Sequence, residues 1–213
     1  MTRGRQISAP GFQTQLTEST DFSRLYSYLT KITPQISEES WRLIQTVFKS
    51  GRYRRNEMIL QPGSTCDHIW FINHGIVEKF HIIDGKEQVN DLVVEGDFFS
   101  DFNSFLFRIP SDLGIRALED TATLMVSYND VQSLYANMPE ADRIGRLTAE
   151  RMLVSQAKRI EQLTLLSPEQ RYRSFLANHP HILQRIPLYL VASYLSLTPE
   201  SLSRIRSRIK SSR

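Results

Sequence analysis

LYLVASYLSLTPESLSRIRSRIK, residues Leu188 to Lys210, reads as two short helices joined by a tight turn. Pro187 suits the start of the first, and Leu190, Val191, Tyr194 and Leu195 form its apolar stripe, so that helix is expected over about Leu188 to Leu195. Thr198 has the hydroxyl to cap a second helix, Pro199 follows with φ already set, and Glu200 sits near the positive end of the dipole. At about 100° per residue, Leu202, Ile205 and Ile209 share one side of this helix, while Glu200, Ser203, Arg204 and Ser207 fall opposite with Arg208 at their edge. One face packs; the other can read base edges.

An ordinary surface helix carries such charges for solubility alone, but the distribution of charge along the chain argues for more. From Pro168 onward, eight basic residues (Arg171, Arg173, Arg185, Arg204, Arg206, Arg208, Lys210 and Arg213) stand against Glu169 and Glu200, whereas the rest of the 213 residues hold 18 basic and 21 acidic side chains. A basic excess confined to one end is the footprint of a segment that neutralises phosphates and releases counterions. With 40% hydrophobic and 23% charged residues, the chain can bury two small cores and has nothing of a disordered or collagen-like composition. Its single cysteine, Cys66, excludes an internal disulfide and any all-cysteine zinc or iron–sulfur site, and fits a reducing cytoplasm. No apolar run approaches the roughly 20 residues of a membrane span, and the N-terminus lacks the apolar core of a secretion signal, so no membrane partner is expected.

Along the chain, residues 1–20 are polar and aperiodic and are expected to be a flexible tail. Asp21 to Leu29 and Ser37 to Phe48 read as helices, the second capped by Ser37 with Trp41, Ile44, Val47 and Phe48 on its apolar face. From Arg52 to Val126 the texture turns to short β-branched and aromatic segments, HIWFINHG, IVEKFHII, QVNDLVV and LMVSY among them, with Asp84-Gly85 as a hairpin turn. From about Glu140 to Leu166, Ala149, Leu153, Ala157, Ile160 and Leu163 recur at helical spacing between charges, a stripe suited either to the chain's own β-roll or to its twin in a two-fold dimer. Ser167 and Gln170 form a capping box for a further helix that Asn178-His179-Pro180 ends. The expected fold is α+β. A jelly-roll-like antiparallel β-roll with flanking helices (21–139) leads into a long dimerisation helix (140–166) and a C-terminal helix-turn-helix DNA-binding domain (167–213).

A β-roll, a long central helix and a helix-turn-helix in that order resemble the Crp/Fnr superfamily of bacterial transcription regulators, from about Leu16 onward. The most specific piece is VASYLSLTPESLSRIR (Val191 to Arg206), which looks like that family's recognition segment. GDFFSDFNSFL (Gly96 to Leu106) stands at the place of the phosphate-binding cassette, and IRALED (Ile115 to Asp120) resembles the strand after it. The resemblance implies a winged helix-turn-helix and a homodimer on a palindromic double-stranded operator, with RNA polymerase a further partner of such a regulator. By position, Glu200 and Arg204 match the residues that touch base edges, with Ser201 and Ser203 close by; Thr198, Ser207 and Arg208 complete the candidate set. Arg can donate twice to guanine O6 and N7, Glu can accept from cytosine N4, and Ser can bond either phosphate or base. Arg171, Arg173, Arg206, Arg208 and Lys210 are the phosphate candidates.

Cyclic-nucleotide-binding relatives carry Gly-Glu in the cassette and, about ten residues on, Arg-Ser or Arg-Thr for the cyclic phosphate. Here Ser100-Asp101 and Ser111-Asp112 stand in those places, and a carboxylate facing an anion in a low-dielectric pocket is strongly unfavourable. Cyclic AMP held in the usual manner is not expected, and no cofactor is assigned. Arg108 and Arg116 are the possible substitutes, so a candidate effector pocket comprises Ser100, Asp101, Arg108, Ser111, Asp112 and Arg116. Phe98, Phe99, Phe102, Phe105 and Phe107 read as core rather than as an apolar ligand site. His68, His74 and His81 lack ligand spacing, Cys66 lacks a redox motif, and no nucleophile, phosphate loop or carboxylate pair stands out, so catalysis is not expected. The competing readings are a ligand-binding or interaction module that has lost DNA binding and, more weakly, a metal enzyme on a cupin-like roll.

Overall fold

The computed structural model describes residues 21–211, so the expected tail over 1–20 and the basic Arg213 lie outside the described residues. Two short helices come first, α1 (Ser23–Ile32) and α2 (Glu38–Val47). The Ser37 hydroxyl caps α2 by accepting from the Ser40 amide at 3.2 Å, with Glu38 and Glu39 in its first turn. Eight strands follow: β1 (Lys49–Tyr53), β2 (Met58–Leu60), β3 (His68–His74), β4 (Val77–Ile83), β5 (Lys86–Val93), β6 (Phe98–Phe99), β7 (Leu113–Ala117) and β8 (Thr121–Ser127), with α3 (Phe102–Phe107) between β6 and β7. They form two antiparallel sheets, ordered β1-β8-β3-β6 and β2-β7-β4-β5. Asp84 and Gly85 both take positive φ (51° and 73°), which lets a tight turn match the twist of β4 and β5. At Gly75, with φ of 109°, a Cβ would lie 2.8 Å from the Thr121 Cα, so only glycine fits where β3 turns into β4.

Side-chain alternation on the strands feeds separate cores. Trp70 and Ile72 of β3 point between the sheets with Val77, Phe99, Phe105 and Ile115, whereas Phe71 joins Leu124 and Val126 on the outer face under α1 and α2. Both faces of β3 are therefore buried, which is why HIWFIN reads as a continuous apolar run instead of an alternation. Helix α4 (Tyr128–Asn137) closes this layer and leads to α5 (Ala141–Leu165), the longest helix. Only Ala141 of α5 is buried; Leu153 is 71% exposed and Ile160 61%, so the stripe does not pack on the chain's own roll.

The terminal segment is helical: α6 (Pro168–Asn178), a 3₁₀ turn at Ile182–Gln184, α7 (Leu188–Tyr194) and α8 (Pro199–Ser211). The capping box of α6 forms, with Gln170 N–H on the Ser167 hydroxyl at 3.3 Å and Ser167 N–H on Gln170 Oε1 at 2.9 Å. Among the described residues no strand follows Ser127, so the expected wing has no counterpart there. Helix α7 ends in a Schellman motif: Ser196 adopts φ of 53°, Leu197 N–H returns to Ala192 O at 2.9 Å, and Ser196 N–H to Ser193 O at 2.9 Å. Ser196 thus sets the sharp turn between the two helices.

This segment does not stand apart from the roll. Tyr172, Phe175, Leu190, Val191, Leu195, Leu202 and Ile205 share one core with Ile76, Val89, Leu92 and Leu118 of the β-roll. The Val89 amide donates to the Ser193 hydroxyl at 2.9 Å, pinning β5 to α7. Arg185 donates to both Glu95 oxygens, at 2.5 and 3.1 Å, and to Glu119. Burial opposes ionisation of Glu95, but bonds from Arg185 and the Gly75 amide outweigh it and hold the carboxyl at about 2 rather than 4.5. A carboxylate with a depressed folded pKa adds stability that is whole above 4.5 and drains away as pH falls toward about 2. Urea unfolding at stepped acid pH should show the wild type losing stability more steeply through that window than Glu95→Gln. Equal slopes would mean the pair does not hold the helices to the roll.

Candidate functional site

The second terminal helix, α8, divides cleanly. Leu202 (1% exposed) and Ile205 (7%) are buried, and Ile209 packs on the same cluster. Glu200, Ser203, Arg204, Ser207 and Arg208 are exposed on the other side, and Ser201 is half-buried. Thr198 accepts the Ser201 amide at 3.2 Å, which satisfies one orphan donor and sets the helix start under these side chains. The Glu200 carboxyl titrates below its ordinary value because its own backbone amide donates to it, so it presents an acceptor at neutral pH. Since α7 lies against β5 and α8 packs on α7 and α6, the polar face of α8 stays uncovered while the segment is docked. The sequence-derived set Thr198, Glu200, Ser201, Ser203, Arg204, Ser207 and Arg208 therefore lies on one turn-and-helix surface.

The phosphate candidates fare unevenly. Lys210 and Arg208 are exposed and Arg206 half-buried. Arg173 pairs with Glu169 at 2.8 Å on its own helix, and the half-buried Arg171 has its Nε out of water without a partner. Arg185, counted in the basic excess, is spent on Glu95 and Glu119.

The six residues expected around an effector do not converge. Ser100 and Asp101 border a cavity of about 580 Å³ between the roll, α3, α4 and α5, whose wall is mainly apolar, with Phe98, Phe102, Leu134 and Met152 in it. Even these two are internally engaged: Ser100 Oγ donates to His68 O at 2.9 Å, and Asp101 Oδ1 caps α3 by accepting the Asn103 and Ser104 amides at 3.1 and 3.3 Å. Arg108 occupies a left-handed position (φ 58°) and its guanidinium turns back to Cys66 O at 3.0 Å, to Asp67 and over the Tyr128 ring. Ser111 is buried and ties its own loop through Leu113, while the Asp112 side chain is 83% exposed near His81. Arg116 sits between Glu87 and Glu78, donating to them at 2.6 and 2.7 Å, and these bonds push its basicity up. The guanidiniums of Arg108 and Arg116 are thus both engaged by groups of the chain itself. Phe99 and Phe105 are core as expected, but Phe107 is exposed, and Phe98 and Phe102 line the cavity together with Phe105.

Cys66 is buried, with its thiol beside the Ser100 hydroxyl at 3.2 Å and the His68 carbonyl at 3.4 Å, a packing role. Among the described residues, no group of three or more His, Cys, Asp or Glu is placed to hold a metal ion, and no helix is long and apolar enough to cross a membrane.

Residues 51–138 match the family described as cyclic nucleotide-binding domain. Among solved structures it is similar to FixK2 from Bradyrhizobium japonicum, with 19% identity, a TM-score of 0.66, and 78% of this chain and 86% of that one covered. It is also similar to a mutant of CooA from Carboxydothermus hydrogenoformans, with 17% identity, a TM-score of 0.63, and coverage of 91% and 86%. A third is CLP, the c-di-GMP responsive global regulator of Xanthomonas campestris, with 16% identity, a TM-score of 0.62, and coverage of 83% and 93%. No curated protein matches the sequence. The resemblance to the Crp/Fnr superfamily holds at the level of the fold, from the β-roll through the long helix to the terminal helices.

Sequence reasoning missed the residues that dock the terminal helices. Arg185 meets partners 66 and 90 positions away, and Arg159 of α5 donates to the Tyr194 carbonyl 35 positions on while lying 3.7 Å from the Tyr194 ring centroid. No spacing rule reaches that far.

Proposed function

We propose that the protein is a sequence-specific, DNA-binding transcription regulator that works as a homodimer in the cytoplasm, beside its DNA. The supporting observation is the partition of α8: aliphatic residues buried under a face that offers Glu200, Ser203, Arg204, Ser207 and Arg208 to solvent. Arg204 would donate to guanine, Glu200 accept from cytosine, and Thr198, Ser201 and Ser203 bond backbone or neighbouring bases. The roll (21–139) is a sensor or a vestigial sensor, 140–166 the dimerisation helix, and 167–213 the DNA-binding unit. Two copies joined along α5 would hold two such helices about 34 Å apart, one turn of a palindromic operator. The cassette speaks against cyclic AMP bound in the usual manner, because Ser100-Asp101 and Ser111-Asp112 stand where cyclic-nucleotide-binding relatives carry the residues that meet the ribose and phosphate. RNA polymerase is the further partner this role brings.

Fluorescence anisotropy on fragments selected from a genomic library tests the reading. Affinity should fall by about a thousand-fold or more between 50 and 200 mM salt while one sequence stays preferred. Binding without salt dependence, or with no preferred sequence, would favour an interaction module that no longer reads DNA.

A further inference from the structure

On the face of the second sheet that meets the terminal helices, Ile76 just before β4 is followed by Glu78 and Phe80, while Lys79 and His81 alternate to the opposite face. Strand register sets Leu92 of β5 and Arg116 of β7 opposite Glu78, and Leu118 lies two residues past Arg116 on the same side. Ile76, Leu92 and Leu118 belong to the core shared with α6, α7 and α8. Glu78 is thus a carboxylate set into the apolar layer on which the terminal helices dock, and only 1% of it is exposed.

Its bonding is incomplete. Arg116 donates twice to Glu78 Oε1, at 2.7 Å from Nε and 2.5 Å from Nη2, and twice to Glu87, at 3.1 and 2.6 Å. One guanidinium therefore serves two carboxylates, and the cluster carries one negative charge in excess. Glu78 Oε2 has no donor and no access to water, the one carboxylate oxygen so placed among the described residues. The other two carboxylates that share an arginine, Glu95 and Glu119 on Arg185, are 18% and 25% exposed, and Glu95 also takes the Gly75 amide. Glu78 has neither relief. The charged groups that act on it are Arg116 and Glu87, while Met58 opposite Arg116 and the helix side chains of the shared core are uncharged.

A buried carboxylate oxygen without a donor is costly, and either water or a proton relieves it. Lifting the terminal helices from Ile76, Leu92 and Leu118 admits water; binding a proton removes the charge with the helices in place. We propose that Glu78 is a proton-binding site through which the roll controls the docking of the terminal helices, holding them when protonated and loosening them when ionised. Burial pushes the Glu78 carboxyl above its ordinary value against the pull of Arg116. Because that rise belongs to the docked state, docking is strongest below the ordinary value of 4.5 and weakens as pH climbs from there through the raised value. The bonds of Glu95 act in the opposite sense and in a separate window, below 4.5.

The Val89 amide, which bonds the Ser193 hydroxyl of α7, reports on docking directly. Its hydrogen exchange is followed by NMR in the full-length protein without DNA, as a protection factor at pH steps upward from 4.5, so that the intrinsic pH dependence of exchange is divided out. Wild-type protection should fall as pH rises. Glu78→Gln, neutral at every pH, should lose that fall and keep the protection the wild type shows at the acid end. Glu87→Gln, an exposed change that leaves Arg116 to Glu78 alone, should keep the fall and move it to lower pH. Flat protection in the wild type, a Glu78→Gln that falls as steeply, or an unshifted Glu87→Gln would overturn the proposal. As no DNA is present, failure of the regulator reading would leave this outcome intact.

Discussion

Arg204→Ala should cut the preference for the selected operator over a base-substituted competitor by about ten- to a hundred-fold, the 1–3 kcal/mol of one bidentate arginine–guanine pair. The same change should leave the fold alone, since Arg204 is exposed on α8 and belongs to none of the buried clusters. Glu200→Ala should relax selectivity at a different base pair, because Glu200 lies one turn earlier, over the helix start that Thr198 caps. Lys210→Ala should behave differently in kind, weakening all sequences alike and lowering the salt slope by about one. Competition anisotropy at a single salt concentration separates these outcomes. If Arg204→Ala and Glu200→Ala both keep the wild-type preference, α8 does not read bases.

What could be read from the chain follows the range of the interaction that carries it. Caps and turns depend on groups within a few residues, so Ser37, Ser167 with Gln170, Thr198 and Asp84-Gly85 are legible in the sequence. The faces of α8 were legible for the same reason, since Leu202 and Ile205 repeat at helical spacing whatever they pack against. The effector pocket was not. Arg108 could be placed near a cassette by counting, but whether its guanidinium faces a ligand or its own loop depends on a left-handed backbone that points it back at Cys66. Arg116 is claimed by Glu78 across the sheet, and strand pairing between β4 and β7 is a matter of register rather than of local pattern. The docking of the terminal helices on β5 lay beyond reach altogether, because α7 offered no sign of which apolar surface it would meet.

The long helix carries the larger consequence. Leu153, Val154, Ile160 and Leu165 are each more than half exposed in the single chain, and of the 25 residues of α5 only Ala141 is buried. Leu153 and Ile160 stand seven residues apart, flanked by Ala149 and Ala157 on the same face, the repeat by which two helices pack side by side. A stripe left in water by its own roll is what a second copy would cover. Light scattering should therefore find the wild type at twice its 24.7 kDa and Leu153→Glu/Ile160→Glu at the single-chain mass. The variant should keep its thermal unfolding profile in the monomer, because neither side chain contributes to a buried cluster. Its affinity for the palindrome should drop by about a hundred- to ten-thousand-fold, since each half-site then binds without the effective concentration that the partner supplies. A wild type that is already monomeric, or a variant that still dimerises, would remove α5 as the joint; a monomer with undiminished affinity would remove the two-fold operator.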